Sequence, residues 1–483
     1  IFTSGMSLWA FQSRDAARDQ RREAEGLVAF MLGDLKEKLE PINQLDTLDG
    51  VGTKVLAYYS KQDASELSDA GLRQRAQALS LTAQVAYERG NLDQAEKLYR
   101  EALEGTAEAM RRSPDEPQRL YDHAQNVFWV GELARKRGRI DRAEVAFREY
   151  KRLADQMVAL QPDNLKWRME VAYAKSNLAI ALYLQRRFPQ AAQTFAEASR
   201  ISAGLAAIDP GNREYGRATT NQLAWLADAQ AAQGDLVQAI DARKRQIAIL
   251  GQLARAGGDV RIDEYLIPAR QGLGILLSSR GEADAGIEQL RLAVAGAERL
   301  MRIEPESATW QGFAAATRLE LARALLGLGR REEAAEAALT GCNLAAAYAR
   351  RAANVAKSVT LRTDCLELRS RLALASGAPE QALAFAQQTL ASARAERTGD
   401  WIADPRYSVA AAYQLLGEVH ARSGNREEAR RAWEAGLAQL PAGITERPIE
   451  MHVRAGLLRQ LGRSEEARPI QARLAAMGYR RAG

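Results

Sequence analysis

Small, bulky and charged positions recur along most of this chain at one long, nearly fixed interval. The stretch "YERGNLDQAEKLYREAL", Tyr87 to Leu103, returns as "RKRGRIDRAEVAFREY" from Arg135 and as "HARSGNREEARRAWEAGL" from His420. Its turn position is Gly90, Gly138, Arg186, Gly234, Gly281, Gly329, Gly377, Gly424 and Gly462, at intervals of 48, 48, 48, 47, 48, 48, 47 and 38. Five residues after each turn stands a small residue: Ala95, Ala143, Ala191, Ala239, Gly286, Ala334, Ala382, Ala429 and Ala467. Seven before it the residue is again mostly small, and nine after it Tyr99, Phe147, Phe195, Leu290 and Trp433 are bulky.

This order predicts helix hairpins. A glycine tolerates the left-handed conformation that ends helix A and starts helix B. Small residues let the two helices approach, and the bulky ones fill the gap to the next hairpin. No hairpin buries its apolar face alone, so the array must stack into one continuous core. Pro114, Pro162, Pro210 and Pro305 each follow a turn position by 24 residues and break the chain between units. Each helix is then close to 20 residues, about 30 Å long. The fold expected is all-α, a right-handed α-solenoid of nine hairpins with extended helices and no sheet.

The order resembles the tetratricopeptide repeat (TPR) from about Leu72 to Leu474. In "YQLLGEVHARSGNREEARRAWEAGLAQLP", Tyr413, Leu416, Gly417, Ala429, Trp433 and Pro441 stand on that family's pattern, with His420 in place of its tyrosine. A TPR unit runs to about 34 residues, whereas seven of the eight intervals here are 47 or 48. The added length implies a thick wall and a deep groove. A second resemblance lies in "REAEGLVAFMLGDLKEKLEPINQLDTLDGVGTKVLAYYSKQ". It is similar to the segment joining a membrane helix to long TPR arrays in bacterial single-pass signalling proteins with TIR, serine/threonine kinase, winged-helix or cyclase modules. "IFTSGMSLWAF" is apolar but short of the roughly 20 residues of a spanning helix. It is read as the tail of such a helix, the alternative being an exposed terminal turn. The expected organisation is 1–12 the end of a transmembrane helix, 13–67 juxtamembrane helices, 68–474 the solenoid and 475–483 a cap or tail. The implied placement is single-pass in a bacterial inner membrane with the array in the periplasm, the alternative being cytoplasmic.

Composition narrows the chemistry. Lysine and arginine total 67 against 61 acidic residues, a net charge of +6, and both signs alternate along the helices. A nucleic-acid footprint needs basic residues clustered on one face, so no nucleic-acid partner is expected. Two cysteines and three histidines lack metal-ligand spacing. No P-loop, GxSxG or HExxH motif occurs. No cofactor, metal or catalytic residue is assigned, and the chain reads as a non-enzyme.

In TPR folds helix A lines the concave surface. The resemblance thus makes Tyr87, Phe128, Trp129, Tyr173, Asn177, Tyr183, Trp225, Arg323 and Arg371 candidate partner-binding residues. The aromatic ones have a second reading, as packing between the extra helical turns. Cys342 and Cys365 lie 11 residues before and 12 after Ala353, the pivot expected after Gly329. They reach the same level on neighbouring helices, as a disulfide or as two buried thiols. The function expected is a sensory or interaction region of a membrane-anchored signalling protein. It would bind a protein or peptide in the groove or associate with a second array. The alternative is a scaffold that assembles a larger complex.

Overall fold

The computed structural model describes residues 45–59, 67–255, 260–351, 355–395 and 404–480, together with Gly26, Val28, Phe30 and Gly257. Every regular element among them is a helix. Helix α1 (Leu45–Tyr59) precedes nine hairpins. These are α2 (Asp69–Glu88) with α3 (Leu92–Arg112), α4 (Pro117–Lys136) with α5 (Ile140–Leu160), and α6 (Leu165–Leu184) with α7 (Phe188–Ile208). Next come α8 (Arg213–Gln233) with α9 (Leu236–Arg255), α10 (Val260–Arg280) with α11 (Ala283–Ile303), and α12 (Ala308–Gly327) with α13 (Arg331–Arg351). The last are α14 (Val355–Ala375) with α15 (Pro379–Ala395), α16 (Pro405–Arg422) with α17 (Arg426–Gln439), and α18 (Pro448–Gln460) with α19 (Ser464–Ala476).

The chain divides into two compact units, Ile1–Ala181 and Leu182–Gly483. Each is a solenoid of hairpins, as the periodicity demands. All nine turn residues have positive φ, including Arg186 at 61°. Helices α3, α5, α7 and α11 end two residues before Pro114, Pro162, Pro210 and Pro305, because the residue ahead of a proline is driven out of the helical region. The small residues Ala95, Ala143, Ala239, Ala334 and Ala382, and the bulky Tyr99, Phe147 and Phe195, have no exposed surface. The approach is tight enough that a methyl group on Gly131 would come within 2.7 Å of Phe147. In unit 1, α1 packs on α2 through Val51, Val55 and the wholly buried Tyr59.

From α10 to α18 each A helix touches the next A helix as well as its own partner. A curved stack brings its inner row closest together, so the A helices line the inner face of unit 2. Hairpin nine then folds back across the turn edges of earlier hairpins. Helix α18 packs on α8, and Met451, Leu474 and Tyr479 share one apolar cluster with Leu236, Ile240, Leu273 and Leu277. The Arg480 amide donates to the Ser279 carbonyl at 2.6 Å. Arg186 donates to both oxygens of Glu450, at 2.7 and 2.9 Å, and to the Thr445 carbonyl at 2.8 Å.

The membrane placement is corrected. No helix among the described residues is long and apolar enough to cross a membrane. Mean hydropathy is −0.34, because each amphipathic helix keeps a charged face. The single-pass inner-membrane assignment, with a periplasmic array, therefore does not stand. Residues 1–11, on which the expected anchor fell, lie outside the described residues.

Candidate functional site

In unit 1 the aromatic candidates pack against one another and against neighbouring helices. The Trp129 ring stacks on Tyr99, with centroids 5.3 Å apart and planes 10° from parallel. Tyr87 meets Trp129 edge-on at 5.6 Å, and its hydroxyl donates to Glu132 Oε1 at 3.1 Å. Phe128 contacts Trp129, Phe147 and Tyr150 at 5.2–6.3 Å. All three candidates are half-buried. Beside them Glu170, 7% exposed, accepts from the Tyr150 hydroxyl at 2.6 Å and from Gln125 at 3.1 Å. Burial raises the Glu170 carboxyl above its ordinary range. Tyr173 is half-buried, and its carbonyl accepts from the Asn177 amide at 2.9 Å.

Unit 2 repeats the same joint. Trp225 stacks on Phe195 with planes again 10° from parallel and centroids 5.9 Å apart. Tyr183 meets Trp225 edge-on at 5.8 Å. It is 4% exposed, and burial pushes its hydroxyl up to about 12. Trp129 and Trp225 both stand nine residues before a turn, Tyr99 and Phe195 nine after one, and Tyr87 and Tyr183 three before one. One three-ring wedge thus recurs two hairpins apart, as a packing device would. Asn177 holds the tryptophan's register position in the hairpin between them.

The arginine candidates sit in a different environment. On the inner face of unit 2, Arg323 of α12 pairs with Glu320 of its own helix. It also pairs with Asp364 and Glu367 of α14, both at 2.9 Å. Glu367 pairs onward with Arg371 at 2.9 Å, and Arg371 approaches Glu418 of α16 to 3.6 Å. Gln414 donates to Glu418 at 3.3 Å. Two guanidinium groups thus bridge four carboxylates across three hairpins. Arg323, Arg371 and Glu418 all stand six residues before their turns, one column of the repeat. Between 18% and 31% of each side chain from Arg323 to Glu418 remains exposed. Burial pushes the Asp364 carboxyl up to about 6 against the pull of Arg323. Burial also acts on Glu367, but Arg323 and Arg371 outweigh it and hold that carboxyl well below the usual range.

A cavity of about 240 Å³ opens beside this ladder, between α10, α11 and α12. Ile275, Ala283, Leu290, Ala324 and Leu328 form apolar walls, Glu320 and Arg323 supply charge, and Arg480 closes one side. Cys342 of α13 and Cys365 of α14 form a disulfide with Cα atoms 5.4 Å apart, fixing α14 one residue from Asp364. Among the described residues no cluster of His, Cys, Asp or Glu could hold a metal ion.

The repeat points to Arg323 and Arg371, whereas Glu320, Asp364 and Arg480 carry no signal in the sequence pattern. The Arg186–Glu450 contact joins residues far apart in the chain. One signal for that contact was present, because Arg186 is the one turn position without glycine.

Neither a family model nor a curated protein matches the sequence. Solved structures do resemble it. The apo form of RapI aligns over 86% of this chain and 97% of its own, with TM-score 0.57 and 13% identity. The apo form of the quorum sensor NprR from B. thuringiensis aligns over 88% and 100%, with TM-score 0.50 and 13% identity. PH0952 from Pyrococcus horikoshii, a signal-transduction ATPase with a tetratricopeptide repeat sensor, aligns over 89% and 55%, with TM-score 0.45 and 14% identity. The chain is thus similar in fold to TPR-type repeat proteins.

Proposed function

We propose that this chain is a non-catalytic regulatory module that binds a peptide or an extended protein segment on the inner face of unit 2. The observation that carries this reading is the ladder from Glu320 to Glu418, partly exposed, spanning three hairpins and adjoining a cavity. Such a face offers regularly spaced charge to an extended backbone, and rigid helices hold it in place before the partner arrives. The likeness to NprR, a quorum sensor, is one of fold, and it makes a regulatory role the first to test. The aromatic wedges of both units are structural joints in this reading, not anchors.

The test is an array of random decapeptides probed with the labelled full chain. Peptides that bind the wild type should lose about tenfold in affinity to the Arg371→Gln, Glu418→Gln double variant, with thermal melting retained. Absence of any bound peptide, or binding indifferent to that variant, would overturn the reading.

A further inference from the structure

The cavity beside the ladder has the chemistry of a receptor for one long basic side chain. Its walls, Ile275, Leu290 and Leu328 among them, are aliphatic, and Glu320, already paired with Arg323, is one of its lining residues. Lysine and arginine are built in that order, an apolar stem carrying a cation at its tip. At about 240 Å³ the space is below the 300–1,000 Å³ of small-molecule pockets, which suits a single side chain. The ladder adds an acidic bias: its ion pairs set the four carboxylates of Glu320, Asp364, Glu367 and Glu418 against the two guanidinium groups of Arg323 and Arg371, although the whole chain carries +6.

The chain already presents such a side chain there. Arg480 follows hairpin nine back across unit 2, and its amide is held by the Ser279 carbonyl at 2.6 Å. Its aliphatic stem lies against Gly281, where an added methyl group would meet Cδ at 3.4 Å. Arg480 is exposed and is one of the cavity's lining residues, and none of the ladder's ion pairs includes it. A main-chain hydrogen bond with a basic side chain at the pocket is how an extended peptide would engage this edge.

We infer that the cavity is a subsite for one lysine or arginine side chain of a bound peptide, and that Arg480 is an internal competitor at its mouth. This rests on the peptide-binding reading of unit 2 and adds its specificity and its control. A peptide carrying a basic residue places its cation at Glu320 and displaces the Arg480 side chain. The rest of hairpin nine stays docked, because its apolar cluster and the Arg186–Glu450 pair do not involve the cavity.

The decapeptide array, probed with wild type, Glu320→Gln, Ala324→Leu and Arg480→Ala, tests this. Wild-type binders should be enriched in lysine or arginine at one position. Affinity for them should fall about tenfold with Glu320→Gln and rise several-fold with Arg480→Ala. Ala324→Leu fills the cavity without touching a charge, so it decides the matter should Glu320→Gln fail to fold; it should also weaken these peptides. Three results would overturn the proposal while leaving peptide binding intact: binders without basic enrichment, binders enriched in acidic residues and weakened by Arg480→Ala, or basic binders indifferent to all three variants. No bound peptide with any of the four proteins would remove both the proposal and the reading beneath it.

Discussion

The early and the late hairpins fill the same kind of space with different materials on one backbone plan. In unit 1 the packing is ring upon ring: Tyr87, Trp129 and Tyr99 interlock, and Phe128 reaches Phe147 and Tyr150. In the later hairpins of unit 2 the equivalent depth holds guanidinium and carboxylate groups in alternation. Both solutions fill the space that two extra helical turns open between hairpins. They differ in what remains for a partner. Stacked rings spend their faces on each other, whereas a charged ladder keeps oxygens and N–H groups that can still accept or donate. Side chains already paired in a fixed geometry lose little further freedom when a ligand arrives.

The largest expected effect lies where unit 2 closes on itself. Glu450 is 1% exposed and holds both Arg186 and Arg447. Glu450→Ala strands two guanidinium groups and should cost about 3–5 kcal/mol. Hydrogen exchange should show α18 and α19 opening first. The exposed pair Arg468–Glu465 is the control, and its removal should leave exchange unchanged. Equal protection in both variants would mean that hairpin nine is held by its apolar contacts alone.

The next effect separates wedge from anchor. Trp129→Ala in unit 1 and Trp225→Ala in unit 2 should each cost about 3 kcal/mol by urea unfolding, without altering affinity per folded molecule. A variant that keeps its stability but loses peptide binding would return these tryptophans to the groove. Reduction of the Cys342–Cys365 bond should cost about 3 kcal/mol for a loop of this length. That loss should register in unit 2 and leave the unfolding of unit 1 where it was.

The smallest effect probes the ladder's electrostatics. The folded pKa of Asp364 is raised from 3.8 to about 6. The folded state therefore holds that proton more tightly than the unfolded chain, and this stabilisation is present below about pH 4 and lost as pH rises through 6. Asp364→Asn keeps the oxygen that accepts from Arg323 and never ionises. Its stability relative to wild type should rise between pH 4 and pH 7 by about 1 kcal/mol, discounted for the solvent that reaches this side chain. A gap independent of pH would show that Arg323 fully offsets the burial. Glu367, held low, should act oppositely: its contribution is present at neutral pH and fades as pH falls below the ordinary carboxylate range.

The repeat was readable because it is local. A turn residue, an alanine five positions on and a ring nine positions on all act within one hairpin or between neighbours. Local spacing is therefore enough to determine nine helix pairs, their register and their buried small residues. Whether an inner-row aromatic is buried by a neighbouring ring or left for a ligand depends on three helices meeting at one depth. The recurrence of the wedge at Tyr87 and Tyr183 depends on Trp129 and Trp225 stacking on rings of the preceding helices. The ladder needed Glu320, Asp364 and Glu418 from three separate hairpins to reach one another. The return of hairpin nine joins Arg186 to a residue 264 positions away. No periodic pattern encodes that contact, because it depends on the summed curvature of every hairpin between. The sequence by itself determined the hairpin, the period and the stack. The tertiary structure alone decided where unit 2 closes, which rings stack on one another, and which charges pair across hairpins.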